Sequence, residues 1–236
     1  MKNAPDSPKK RTISSGNVEL DSKMGGGLPA GSLTLIEGTS GAGKSVLSQQ
    51  ILSGALREGF SAAVFTSENT VKSLLSQMES IDLDVLDFLL LRKLRVYPMA
   101  LARLGDKAPF ALIDALKQHP DRDVIIVDSF TAATGKKSAD WQILSFFEQC
   151  KQLCATGQTV ILTLHPKAFD EELIAPLRSM CDAHLKLRSE QDGQRLVKTL
   201  EVAKVRGAGS VTGAIVGFEV EPGWGMRVIP ISKARG

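Results

Sequence analysis

The sequence predicts an α/β domain with a mostly parallel central sheet, flanked by helices and extended by C-terminal antiparallel strands. Three observations predict it. A glycine-rich loop joins a short apolar strand to a helix within residues 33–58. Residues 123–129 and 158–164 are nearly continuous apolar runs, which belong to sheets covered on both faces. From residue 183 onward the pattern turns β-rich, with short polar and glycine-containing turns that suit hairpins.

Taken in order, residues 1–11 hold Lys2, Lys9, Lys10 and Arg11 against Asp6, together with two prolines, the composition of a disordered basic tail. Residues 12–236 are expected to form a single domain. Gly25-Gly26-Gly27-Leu28-Pro29 is a turn into the first core strand, residues 33–37. A helix over 45–58 follows the glycine loop. Residues 61–66 read as a strand ending at Ser67-Glu68-Asn69, and Val71, Leu74, Leu75 and Met78 place a helix over 70–80. Residues 83–91 read as a short helical segment, 94–97 as a strand stopped by Pro98, and 102–109 as a loop. Pro109 opens a helix whose apolar face is expected to be Phe110, Ile113 and Leu116. Residues 123–129 form a strand with an acid at its C-terminal end, and 140–155 an amphipathic helix. The strand over 158–164 then leads to C-terminal strands over 183–189, 196–205, 213–220 and 226–231.

Composition removes several classes. With 43% apolar and 23% charged residues the chain is an ordinary globular protein, neither disordered nor fibrous. Apolar runs such as Val124-Ile125-Ile126-Val127 are too short to span a bilayer, and no apolar stretch follows the N-terminal lysines, so a cytoplasmic protein is expected. The net charge of +3 resides in the tail, and the remaining residues hold 25 basic and 25 acidic side chains. A neutral body gives no electrostatic footprint for bulk nucleic-acid binding. Cys150, Cys154 and Cys181 read as buried thiols, because a metal site needs more ligands than His165 adds.

Gly38-Thr39-Ser40-Gly41-Ala42-Gly43-Lys44-Ser45 has the form G-x-x-x-x-G-K-[ST], between a strand and a helix. That context aims backbone N–H groups and the positive end of the helix dipole at one point. The glycines let the backbone curl around a polyphosphate, Lys44 reaches the β- and γ-phosphates, and the Ser45 hydroxyl is placed to ligate Mg²⁺. A bound nucleotide would therefore contact Gly38 through Ser45, and Val46 in the first helical turn.

Asp128, 84 residues after Lys44, ends its strand where an acid holds Mg²⁺ through water in phosphate-loop proteins. Ser129 follows it, so the acid that polarises an attacking water must come from another strand. Glu68 is the candidate, at the edge where ligands bind in such sheets; it also suits the capping of the next helix. His165, held extended by Pro166, reads either as a γ-phosphate sensor or as a hydrogen-bonded strand-end residue. Lys204 and Arg206 share a strand face by alternation, which suits either a solvated pair or cations offered to a neighbouring subunit's phosphate.

Residues 20–32 running into the phosphate loop resemble the entry segment of KaiC-type members of the RecA superfamily. Phe65-Thr66-Ser67-Glu68-Asn69 resembles the strand end carrying their catalytic glutamates, and Lys204-Val205-Arg206-Gly207 their subunit-bridging element. Gln77-Met78-Glu79-Ser80, residues 84–90, Thr163-Leu164-His165-Pro166, residues 181–188 and residues 216–234 resemble the FlaH (ArlH) family, RecA/KaiC-like subunits of the archaeal flagellum, or archaellum. The resemblance implies an α/β RecA/KaiC-like fold and an ATP-binding, Mg²⁺-dependent regulator with little or no turnover. It also implies a homo-oligomeric, hexamer-type ring at the cytoplasmic face of the membrane. Implied partners are the motor ATPase of the FlaI family, the membrane platform protein of the FlaJ family and a cytoplasmic scaffold, with Lys204 and Arg206 acting from a neighbouring subunit. Where KaiC carries paired glutamates this chain has Glu68-Asn69, so hydrolysis would rest on Glu68 alone. The alternatives are a RecA/RadA-like DNA-dependent ATPase, disfavoured by short loops at 131–137 and 167–170, and KaiC-like autophosphorylation, for which no hydroxyl is singled out.

Overall fold

The computed structural model describes residues 11–134, 138–192, 195–207, 212–223 and 225–229. Strands β1 (Thr12–Ile13) and β2 (Leu28–Pro29) form a small antiparallel ribbon, with α1 (Val18–Lys23) between them. The Asn17 side chain caps α1 by accepting from the Leu20 N–H. Then follow β3 (Leu33–Gly38), α2 (Lys44–Arg57), β4 (Ala62–Thr66), α3 (Val71–Glu79), α4 (Leu86–Leu90), β5 (Leu94–Pro98), α5 (Ala108–Lys117) and β6 (Val124–Asp128). The chain continues through α6 (Asp140–Ala155), β7 (Thr159–Leu164), α7 (Glu171–Met180), β8 (Ala183–Asp192), β9 (Arg195–Val205), β10 (Ile215–Glu221) and β11 (Gly225–Ile229).

These strands form a nine-stranded sheet in the order β11-β10-β9-β8-β3-β7-β6-β4-β5. The run from β8 to β5 is parallel, and β8 to β11 is antiparallel. The mostly parallel sheet with an antiparallel C-terminal extension is the predicted one. The connection from β3 through α2 to β4 steps over β7 and β6, which brings the C-terminal ends of four strands to one edge.

Alternation along the strands sends successive residues to opposite faces and builds two cores. Ile36, Val64, Ile126 and Ile161 pack with Leu47, Ile51 and Ala55 of α2 and with α3. Leu35, Phe65, Val127 and Leu162 pack with α5, α6 and α7 on the other face. Gly54 lets α2 lie against the backbone of Ser14 and Ser15, which an added Cβ would penetrate.

Several expectations change. The stretch before Pro109 forms two 3₁₀ turns, Leu101–Arg103 and Gly105–Lys107, where a plain loop was expected. Leu112, not Phe110, joins Ile113 and Leu116 in the core; Phe110 is 36% exposed and lies against the Trp141 ring, centroids 5.8 Å apart. Helix α7 has no counterpart in the sequence reading, because Pro176 lies inside it and masks its pattern. The three thiols are buried and free, as expected, and among the described residues no group of three or more His, Cys, Asp and Glu is arranged for a metal ion.

Of the basic tail only Arg11 is described: its guanidinium sits 4.0 Å from the Phe60 ring centroid and its carbonyl accepts the Ala30 N–H. Lys2, Lys9 and Lys10 lie outside the described residues, as do positions 135–137, 193–194, 208–211, 224 and 230–236 within the loop, turn and tail segments named above. Among the described residues no helix is long and apolar enough to cross a membrane.

Candidate nucleotide-binding site

A cleft of about 430 Å³ opens at the C-terminal edge of β3, β4, β6 and β7. Ser40, Gly41, Gly43, Lys44, Ser45 and Val46 line it together with Glu68, Asp128 and His165. Every cis-acting residue singled out beyond the phosphate loop therefore meets that loop in one place.

The loop is shaped for an anion. Gly43 is the N-cap of α2, with φ of 100° and no side-chain cap on the helix. The first N–H groups of α2 consequently have no intrahelical partner and are left for whatever occupies the cleft. A Cβ on Gly43 would meet the Phe218 ring of β10 at 3.2 Å, so both conformation and space require glycine. Lys44 donates its Nζ to the Thr39 carbonyl at 3.0 Å and so arches over the loop. Burial lowers the Lys44 pKa, opposed by the negative charges of Asp128 and Glu68.

Asp128 is 4% exposed at the end of β6, and one carboxylate oxygen accepts the Thr163 hydroxyl from β7 at 2.7 Å. The peptide bond between Asp128 and Ser129 is cis. Glu68 is exposed to the cleft and does not cap α3. Thr70 does so, accepting from the Ser73 N–H in a reciprocal capping box, while Asn69 accepts the Ser73 hydroxyl. Of the two roles open to Glu68, capping is thus taken by its neighbours. The His165 N–H donates to Thr131 Oγ1 at 2.8 Å, and its Nδ1 accepts the Lys167 N–H, while the residue lines the cleft.

Lys204 and Arg206 lie elsewhere: Lys204 is level with Leu35 of β3, about 10 Å of strand before Gly38, and Arg206 is level with Leu33, about 17 Å before it. Lys204 Nζ donates to the Ser179 carbonyl at 2.9 Å. Arg206 donates to Asp182 at 3.1 Å and to the same Ser179 carbonyl at 3.4 Å. Burial, then the nearby Arg206 charge, lowers the Lys204 pKa. A bulge in β9 sets this placement. Val202 pairs with Leu185 and Lys204 with His184, so Ala203 is an extra residue and the alternation flips. Lys198 stays on the α2 face with Leu200 and Val202 and lines the cleft, whereas Lys204 passes to the α7 face.

The sequence reading missed four contributors. Lys198 adds a cation to the cleft, Ser129 and Thr131 line it, and Thr163 anchors Asp128. A hydroxyl inside the apolar run of residues 158–164 was the available signal for Thr163. Behind the loop, Glu37 is 6% exposed and is held by Arg178 of α7 and His184 of β8. Burial alone would raise its pKa; the His184 and Arg178 hydrogen bonds, and their charges, bring it down to about 2.

The uncapped helix terminus, the lysine over the loop and a cleft of this size fit the polyphosphate of a nucleotide. Ser45 and Asp128 line the same cleft, a hydroxyl and a carboxylate of the hard-oxygen kind that suits a Mg²⁺ whose other ligands are phosphate oxygens and water.

A family model described as "ATPase: KaiC" matches residues 13–233. The archaeal flagellar ATP-binding protein FlaH of Sulfolobus acidocaldarius is 34% identical over 232 residues, covering 94% of this chain and 99% of that protein. Its namesake in Methanocaldococcus jannaschii is 28% identical over 214 residues, covering 89% and 91%. The crystal structure of flagellar accessory protein FlaH from Methanocaldococcus jannaschii superposes with a TM-score of 0.81 at 26% identity, covering 92% of this chain and 98% of that one. A KaiC-like protein from Pyrococcus horikoshii shares the fold, with a TM-score of 0.75 at 20% identity and coverage of 93% and 99%. With phosphate loop, fold and relatives in agreement, the chain belongs to the FlaH family of KaiC-type ATPases.

Proposed function

We propose that this protein is the ATP-binding regulatory subunit of an archaellum motor, which binds ATP with Mg²⁺ and hydrolyses it slowly or not at all. The observation that carries this reading is the convergence of the intact phosphate loop, Asp128 and a single water-directing acid, Glu68, on one cleft. Lys44, Lys198 and the N–H groups of α2 neutralise the phosphates, and Ser45 and Asp128 position the cation. Mg²⁺, when bound, screens the β- and γ-phosphate charge. Asn69 stands where a second acid would help, and its side chain is spent on Ser73. Binding is therefore supported by many groups, and turnover by one.

In this reading the chain assembles into rings at the cytoplasmic face of the membrane. Lys204 and Arg206 face the cleft of a neighbouring copy, and the nucleotide controls docking to the motor ATPase of the FlaI family, near the FlaJ-type platform and a cytoplasmic scaffold. The edge that carries the cleft and the edge that carries the two cations are opposite ends of one sheet. That arrangement suits head-to-tail contact, which closes into rings. The test is docking of the purified chain to the purified motor ATPase with and without ATP and Mg²⁺, using wild type and Lys44→Ala. ATP-dependent docking that the substitution removes is expected; docking indifferent to ATP overturns the regulatory reading.

A further inference from the structure

One residue of α7 holds the root of the phosphate loop with its side chain and, with its backbone carbonyl, lies against one of the two cations, Lys204. Arg178 donates Nε to Glu37 Oε2 at 2.9 Å and Nη2 to Glu37 Oε1 at 2.7 Å, a two-point clamp. Glu37 immediately precedes Gly38, so the clamp fixes the last turn-free residue before the loop. His184 Nε2 meets Glu37 Oε2 at 2.9 Å from the neighbouring strand, which completes a triad of the buried Glu37 and His184 with the half-buried Arg178. The ionised carboxylate only accepts, so Nε2 carries the hydrogen.

The backbone of the same helical turn faces the other way. The Arg178 carbonyl lies 3.5 Å from Lys204 Nζ, and the Ser179 carbonyl accepts from both Lys204 and Arg206. The chain reaches α7 from His165, which lines the cleft, by way of a 3₁₀ turn, Pro166–Ala168, and the N-cap Asp170. Helix α7 thus meets the root of the phosphate loop through Arg178 and supports the cations from the same C-terminal turn.

We propose that Arg178 is a positioning residue that couples the phosphate loop, through Glu37, to the presentation of Lys204 and Arg206. Nucleotide in one cleft then sets how the two cations are offered to the next copy. This rests on the reading that Lys204 and Arg206 act on a neighbouring copy. An ion pair serving stability alone needs no particular place on β3; this one sits at the loop's root and on the helix turn that carries the cations.

The experiment measures self-association of the full chain by sedimentation velocity, with and without ATP and Mg²⁺, and ATP affinity at a dilution where copies are separate. Removing Arg178 alone strands a buried carboxylate and endangers folding, so the test variant is Glu37→Gln with Arg178→Gln, a neutral pair of similar shape. Arg178→Lys, which keeps the charge but loses the fork, is the graded companion. In wild type ATP is expected to tighten association by about tenfold or more, within the usual range of coupling between sites. The neutral pair is expected to bind ATP in dilute solution within about threefold of wild type while the tightening falls below about threefold, with Arg178→Lys between. Lys204→Ala with Arg206→Ala is expected to lose the tightening as well. If that cation variant loses it while the Glu37/Arg178 variant keeps it in full, the coupling is overturned and the cation reading stands. If the cation variant keeps it, or wild type shows none, both are overturned.

Discussion

Thr163, in the middle of the sheet, donates its hydroxyl to Asp128 on the adjacent strand at 2.7 Å, and both residues are buried. The bond fixes one carboxylate oxygen of the candidate Mg²⁺-directing acid by a contact between strand ends rather than by a loop. Replacing Thr163 with Val removes the donor and leaves that oxygen unpaired, at a cost of about 1–3 kcal/mol in stability. Urea unfolding should show that loss, and the Mg²⁺ concentration needed for full ATP affinity should rise severalfold. Thr163→Ser keeps the hydroxyl and should retain the wild-type Mg²⁺ dependence; equal behaviour of the two variants would count against the role.

Lys44→Ala removes the cation that arches over the phosphate loop while leaving the α2 core contacts in place. ATP affinity, read by calorimetry, should drop by about a hundredfold or more, the scale of losing charge-assisted hydrogen bonds to phosphate. The thermal midpoint without nucleotide should stay close to wild type. Full ATP affinity in this variant would dismiss the assignment of the cleft.

Glu68 is exposed at the cleft, whereas Asn69 is engaged with Ser73. Glu68→Gln should reduce any ATP turnover by about a hundredfold, the low end for loss of a general base, with ATP affinity within about threefold. Single-stranded DNA should not stimulate turnover in wild type. Strong stimulation would restore the recombinase-like alternative.

The Glu37 carboxylate has its pKa lowered from 4.5 to about 2 by His184 and Arg178, against the effect of burial. A depressed folded-state value means that its stabilisation is complete above the unfolded value near 4.5 and is lost as pH falls towards 2. The amount is about 2–4 kcal/mol. Urea midpoints at pH 6, 4 and 3 should therefore fall more steeply for wild type than for Glu37→Gln. Parallel curves would show that the triad does not titrate as described.

Cys150, Cys154 and Cys181 are buried, and burial pushes the Cys154 and Cys181 thiols up to about 12 and Cys150 well above its usual value. Since the thiolate is the reactive form, a thiol reagent at pH 8 should label native protein negligibly and label all three positions in denaturant. Fast labelling of the native chain would contradict the packing of α6 and α7.

The nucleotide loop, the parallel core and the C-terminal hairpins are legible in the chain because each is written in local chemistry. Glycines at fixed spacing, apolar runs and turn residues act over a few positions. The same locality placed Asp128, Glu68 and His165 at strand ends, from which a shared edge followed once the sheet was parallel. The remaining features depend on long-range packing. Helix α7 was hidden by Pro176, and its length is held by packing of Leu173, Ile174 and Leu177 rather than by propensity. The bulge at Ala203 sends Lys198 to the cleft and Lys204 to the opposite face, although strict alternation would place them together. The partners of Glu37 lie 141 and 147 residues away, so no local pattern marks a charged residue inside that strand as satisfied. Only the fold brings the buried His184 and the half-buried Arg178 onto Glu37, whose buried carboxylate is tolerable because it is paired.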